Sequence, residues 1–93
     1  MRGEDRIIPM RRLDWLSQRE RVVLIGMMDG LSAQDIAARD YVALTTVRSQ
    51  IRNVLMKLGV SSQLAAVAYA YKHCWPTEEE RRAALAEALQ VAS

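Results

Sequence analysis

No phenylalanine occurs in this chain of 93 residues, and its only aromatic side chains are two Trp and three Tyr. A core must therefore be assembled from Leu, Ala, Val and Ile, which suits several helices packed through aliphatic faces. Cys74 is the only cysteine, which excludes an intrachain disulfide and fits a reducing cytoplasm. Together with the single histidine, His73, it does not build a zinc site, so no metal or other cofactor is expected. No Ser/His/Asp set, phosphate loop or pair of catalytic carboxylates can be assembled, and the chain is not expected to be an enzyme. No apolar run approaches a membrane span or a signal-peptide core. A soluble, cytoplasmic protein with no membrane partner is expected. Only two prolines are present, Pro9 and Pro76, and each breaks any helix where it stands.

The net charge is only +2, which by itself does not point to nucleic acid. Its distribution does. Residues 1–40 carry seven Arg against seven Asp or Glu. Residues 41–77 carry Arg48, Arg52, Lys57 and Lys72 with no acid at all, and residues 78–93 carry four Glu and two Arg. The positive charge is thus gathered in the middle of the chain, as a local electrostatic footprint for a polyanion requires.

Taken in order, residues 1–12 read as a solvated arm or linker. Leu13, Trp15 and Leu16 form an apolar cluster ahead of a first helix, which opens on the capping box Ser17-Gln18-Arg19-Glu20. That helix continues through Val23, Leu24, Met27 and Met28 on one buried face and ends at Gly30. Ser32 caps a short second helix over residues 33–39, with Asp35 three residues after the cap and Ile36 and Ala37 pointing inward. Tyr41 and Val42, in the turn that follows, are expected to fold under the helix pair. Ser61 or Ser62 caps a fourth helix to about residue 71, with Leu64, Val67, Ala68 and Tyr71 as its apolar stripe. Thr77-Glu78-Glu79-Glu80 is a further capping box, opening a fifth helix with Ala84, Leu85, Ala88, Leu89 and Ala92 on a weak apolar stripe. Met10, Met27, Met28 and Met56 read as packing residues. No strand pattern, internal repeat or low-complexity tract is present, so the fold is expected to be all-α.

Residues 45–57, TTVRSQIRNVLMK, carry the central helix. Val47, Ile51, Val54, Leu55 and Leu58 recur at i, i+4, i+7, i+8 and i+11, one amphipathic face. Thr45, Arg48, Ser49, Arg52 and Met56 fall opposite. Two arginines one turn apart with no acid nearby suit a polyanion rather than a mixed, solvated face. Gly59 stops this helix, and Lys57 in its last turn complements the dipole.

The order of these signals is recognisable. Leu16-Ser17-x-Arg19-Glu20-x-x-Val23-Leu24, Gly30-Leu31-Ser32-x-x-x-Ile36-Ala37, Thr46-Val47-Arg48, Lys57-Leu58-Gly59-Val60-x-Ser62 and Ala66-Val67 follow one another over residues 13–71. The pattern resembles the LuxR-type (GerE-like) helix-turn-helix domain of bacterial transcription regulators. The resemblance implies a four-helix DNA-binding domain over residues 13–72, here preceded by the arm at 1–12 and followed by a helical extension at 73–93. It implies that the third helix enters the major groove, with Arg48, Ser49 and Arg52 contacting bases. Thr45, Thr46, Gln50 and Lys57 would then contact phosphates. It further implies a homodimer through the fourth helix, whose candidate contacts are Leu64, Ala65, Val67, Ala68 and Tyr71. Three positions depart from the family pattern. Asp40 stands where leucine is usual and is expected to reshape the turn or cap its end. Ala43 replaces the usual capping serine, so the cap is expected at Thr45, which shortens the helix. Gln50 replaces a histidine but can still donate to a phosphate.

The expected function is sequence-specific binding of double-stranded DNA in transcription regulation, at the nucleoid. RNA polymerase or another regulator is a further expected partner. No phospho-receiver or sensor domain is recognisable, so control through expression level or protein partners is expected. Two other readings are open: a single-domain interaction module that pairs with and modulates another regulator, and a sigma region-four-like module. The Lys57-Leu58-Gly59-Val60 segment and the helix after it argue against the second.

Overall fold

The structure is a computed structural model; it describes residues 12–92, with side chains to residue 86. Met10 and the rest of the arm ahead of residue 12, and the side chains of Ala88, Leu89 and Ala92, lie outside the described residues. A short 3-10 helix, Arg12–Trp15, leads into α1 (Gln18–Met28), α2 (Ala33–Asp40), α3 (Leu44–Leu58), α4 (Gln63–Lys72) and α5 (Glu78–Ala92). Among the described residues all regular structure is helical.

Short polar motifs set the helix starts. The Ser17 Oγ accepts from the Glu20 N–H at 3.2 Å while Glu20 Oε1 accepts from the Ser17 N–H at 2.8 Å. Ser32 and Asp35 repeat the exchange at 3.0 and 3.1 Å, and Thr77 and Glu80 at 3.0 and 2.9 Å. Ser62, not Ser61, caps α4 by accepting from the Ala65 N–H. Two glycines provide left-handed stops: Gly30 (φ +83°) past α1 and Gly59 (φ +72°) past α3.

Helix α1 is the post around which the others stand. Val22, Val23, Leu24, Ile25, Gly26 and Met27 are all buried, so the single inward face expected from the sequence is wrong. The reason is that α3, α4 and α5 all pack on α1, which leaves it little solvent side. Gly26 lets α2 approach, because a Cβ there would lie 2.9 Å from the Ile36 side chain. Helix α5 covers α1, with Ala84 buried and the Gln18 amide donating to the Ala84 carbonyl. Arg81 of α5 also bridges to Asp29 at 2.7 Å. Trp75, in the break before α5, is buried as well.

Four further expectations are corrected. Tyr41 does not fold under the helices: it takes a left-handed conformation (φ +59°) at the end of α2 and is 82% exposed. The reversal leaves its ring in solvent, and Val42 takes the inward place at the edge of the core. Helix α3 begins at Leu44 after Ala43 and is not shortened to a cap at Thr45; no side chain caps it. Burial of Val47, Ile51, Val54 and Leu58 holds it in place of a cap. On α4, Ala66 and Ala70 are the fully buried residues, while Leu64 and Tyr71 are 79% and 63% exposed. Small side chains let α4 lie close to α1 and α3, so its inner face is set by size rather than by hydrophobicity. Met27 is buried and Met28 half-buried, but Met56 lies exposed on the outer face of α3.

Two charged struts fix α3 and the end of α2 against this scaffold. Lys57 Nζ donates to Glu20 Oε1 at 2.7 Å and to the Trp15 carbonyl at 3.2 Å. Burial by itself would raise the Glu20 pKa, but the hydrogen bonds from Lys57 and Ser17, with the Lys57 charge, hold it below its ordinary value. At the other end, the largely buried Asp40 carboxylate accepts from Arg39 and, at 3.0 Å, from Arg19 of α1. Burial again opposes ionisation, and the two guanidinium groups outweigh it, leaving Asp40 below the usual range. The unexpected aspartate thus ties the end of α2 to α1.

Two outcomes follow from these helix ends and struts. Ala43→Ser should supply the missing cap and raise stability by about 0.5–1 kcal/mol in urea unfolding; an unchanged midpoint would mean that the first-turn amides already have acceptors. Because both carboxylates have depressed pKa values when folded, their contribution is complete above the ordinary values of 4.5 and 3.8 and is lost as pH falls through and below them. Glu20→Gln keeps a capping side chain but removes the charge. It should cost about 1 kcal/mol at neutral pH and flatten the acid limb of a stability–pH curve; an unaltered limb would sink the assignment.

Candidate nucleic-acid interface

Burial of Val47, Ile51, Val54 and Leu58 decides which way α3 is turned about its axis. Given that rotation, Thr45, Thr46, Arg48, Ser49, Arg52 and Met56 are all exposed. Arg48 and Arg52 stand one helical turn apart on this surface, and neither is paired with an acid among the described residues. The other basic side chains close to the scaffold are differently placed. Arg19, Arg39 and Lys57 are each committed to a carboxylate.

The helix therefore presents two exposed guanidinium groups, unpaired among the described residues, with a hydroxyl, Ser49, between them. A guanidinium fork matches the O6 and N7 acceptors of guanine, whereas a hydroxyl can donate or accept and selects less. Thr45 and Thr46 flank the pair at the start of the helix and offer hydroxyl donors of the kind that meet phosphate oxygens. Gln50 is half-buried at the margin of this face, and its Oε1 is buried without a hydrogen-bond partner among the described residues. Among the described residues the carboxamide is thus the one buried polar side chain left incompletely satisfied.

Lys57 has partners that the sequence did not suggest. Its ammonium group donates to Glu20 and to the Trp15 carbonyl. No local signal could have shown this, since Glu20 lies 37 residues away and already has a visible role as a capping residue.

The five candidate dimer residues are on a separate surface. Leu64, Ala68 and Tyr71 are exposed on α4, and Ala65 and Val67 are half-buried beside them. A shallow groove next to Leu64 is lined by Met27, Gly30, Leu31, Gln63 and Val67. His73 and Cys74 are both exposed, and the His73 ring lies 4.4 Å from that of Tyr69. Among the described residues no three His, Cys, Asp or Glu side chains converge as a metal site would need. None of the helices there is long and apolar enough to cross a membrane.

Comparison with known proteins bears on this arrangement. The family model described as bacterial regulatory proteins, luxR family, matches residues 14–70, from the 3-10 helix to α4. The response regulator protein VraR of Staphylococcus aureus (strain NCTC 8325 / PS 47) is 35% identical over 60 residues, covering 64% of this chain and 29% of VraR. The proteins of the same name from Staphylococcus saprophyticus and Staphylococcus epidermidis match to the same extent. This chain spans under a third of the length of these curated relatives. With the α2-turn-α3 unit in place and the ordered motifs matched from end to end, the chain belongs to the luxR family of bacterial regulatory proteins, and its helix-turn-helix is a DNA-binding domain of transcription regulation.

Proposed function

We propose that the chain regulates transcription by inserting α3 into the major groove of double-stranded DNA, with Arg48, Ser49 and Arg52 reading bases. The observation that carries this is the pair of exposed arginines on α3, without an acidic partner among the described residues, on a helix whose opposite face is locked into the core. Thr45, Thr46 and Gln50 anchor phosphates. Lys57 is assigned to holding α3 on the scaffold rather than to DNA, because a cation already bonded to a buried carboxylate has little charge left to offer a phosphate.

One domain of this size makes few contacts, so we further propose a homodimer through the outer side of α4. Leu64 and Tyr71, large and exposed there, support this. Two-fold pairing presents two α3 helices to half-sites about 10 bp apart. Residues 13–72 form the binding domain in this reading. Residues 73–93 form an extension that buttresses α1, with Glu78 and Glu79 exposed at the start of α5 and kept off the phosphates. A chain of this kind works at the chromosome, in the cytoplasm, and RNA polymerase is the further partner such a regulator would meet. The same exposed α4 side chains would also serve a module that pairs with another regulator and does not bind DNA alone. Unaided binding of DNA separates the two.

Selection of bound duplexes from a random library by the purified chain should enrich an inverted repeat. No enrichment would favour the interaction module. On the selected duplex, Arg52→Ala should weaken binding and relax preference at one base position by about 1–3 kcal/mol. Lys57→Met should lower stability yet leave the slope of log K against log salt unchanged. A slope reduced by about one unit would return Lys57 to the phosphate contacts.

A further inference from the structure

Tyr41 is placed at a cost that the fold does not recover. Its backbone is left-handed, at φ +59° and ψ +43°, a region that side chains with a Cβ enter unfavourably and that glycine or asparagine enters readily. A bulky residue there is ordinarily tolerated when its side chain packs. This one does not pack, since 82% of Tyr41 is exposed, the highest exposure among the large apolar side chains described. Neither backbone preference nor the core therefore accounts for an aromatic phenol at this position. An outlier of this kind, beside a binding surface, points to a contact made outside the chain.

The surroundings say with what. Tyr41 closes α2 and stands three residues ahead of Leu44, the first residue of α3. Ala43, Thr45 and Thr46 are exposed in the same stretch, so the turn and the opening of α3 form one continuous solvent-facing edge. A helix entering the major groove brings that edge against the groove wall, which is a row of phosphates. The acid next to Tyr41 offers no repulsion, because the Asp40 carboxylate is turned inward and neutralised by Arg19 and Arg39. A phenol is a neutral donor that suits a phosphate oxygen, and its ring offers an apolar face to a sugar.

We propose that Tyr41 is a further DNA-contacting residue, its phenol O–H donating to a backbone phosphate beside the groove that α3 enters, with the ring against the adjoining deoxyribose. This rests on the reading of α3 as the groove-binding helix. Being uncharged, Tyr41 displaces no counterion. Its loss should lower affinity without altering the salt dependence, unlike loss of a cation.

The test compares Tyr41→Gly, Tyr41→Asn and Tyr41→Phe with Arg52→Ala, on the duplex selected by the wild-type chain. Binding is followed by fluorescence anisotropy over a range of salt, with thermal unfolding of each variant. Gly and Asn both suit the left-handed backbone, and Asn guards against a turn loosened by Gly. Both should unfold at or above the wild-type temperature and bind about tenfold more weakly, with the salt slope unchanged. Phe should lose several-fold. Wild-type affinity in both Gly and Asn variants, with Arg52→Ala weakened, would overturn the Tyr41 contact alone. A reduced salt slope in both would overturn it too, because the loss would then lie in displaced cations. Wild-type affinity in all of them, Arg52→Ala included, would remove the α3 reading as well.

Discussion

The burial of one face of α3 against the scaffold is the interaction on which the rest depends. Val47, Ile51, Val54 and Leu58 are all but inaccessible to solvent, and their spacing leaves one rotational setting in which all four are satisfied. That setting turns Arg48, Ser49 and Arg52 outward as a consequence of packing. A reading surface has to be presented in a fixed orientation, because phosphate and base contacts demand a defined register. Here the orientation of α3 is enforced by aliphatic side chains on its buried side. The missing cap at Ala43 shows how far this packing governs, since α3 begins there without any side-chain help.

Helix α1 makes that setting rigid. It is buried on nearly every side, and its first turn carries both partners that hold α3 and the turn before it. Glu20 takes Lys57 from the last turn of α3, and Arg19 takes Asp40 from the end of α2. The acids are the more buried member of each pair, so their cations are held at the scaffold. This sets three basic residues held at the scaffold apart from the two on the outer face of α3. Arg19, Arg39 and Lys57 neutralise buried carboxylates, and Arg48 and Arg52 have no acid partner among the described residues. A net charge of +2 conceals the division completely.

What was legible in the sequence was local. Each capping box is a four-residue signal and each appeared where Ser17, Ser32 and Thr77 placed it. The outward set on α3 was equally legible, because a 3.6-residue period over a long helix leaves little freedom. The inward face of α4 was not, since ranking by hydrophobicity favours Leu64 and Tyr71 while close approach to α1 selects Ala66 and Ala70. Burial of both sides of α1 depended on α5, a helix whose own apolar stripe is weak. The Lys57–Glu20 pair joins residues with no local relation, and Tyr41 turned outward through a backbone conformation that its side chain gives no hint of. The family pattern singled out α3, and the tertiary contacts decided which of its cations have acid partners among the described residues.

The central claim is that the exposed side of α3 is the surface that meets DNA. Titration of the isotopically labelled chain with its selected duplex, followed through backbone amide chemical shifts, addresses this most directly. The account predicts the largest changes over residues 43–53, with small changes along α5. Amides of α3 left unmoved, with the large changes confined to α4 or α5, would contradict it.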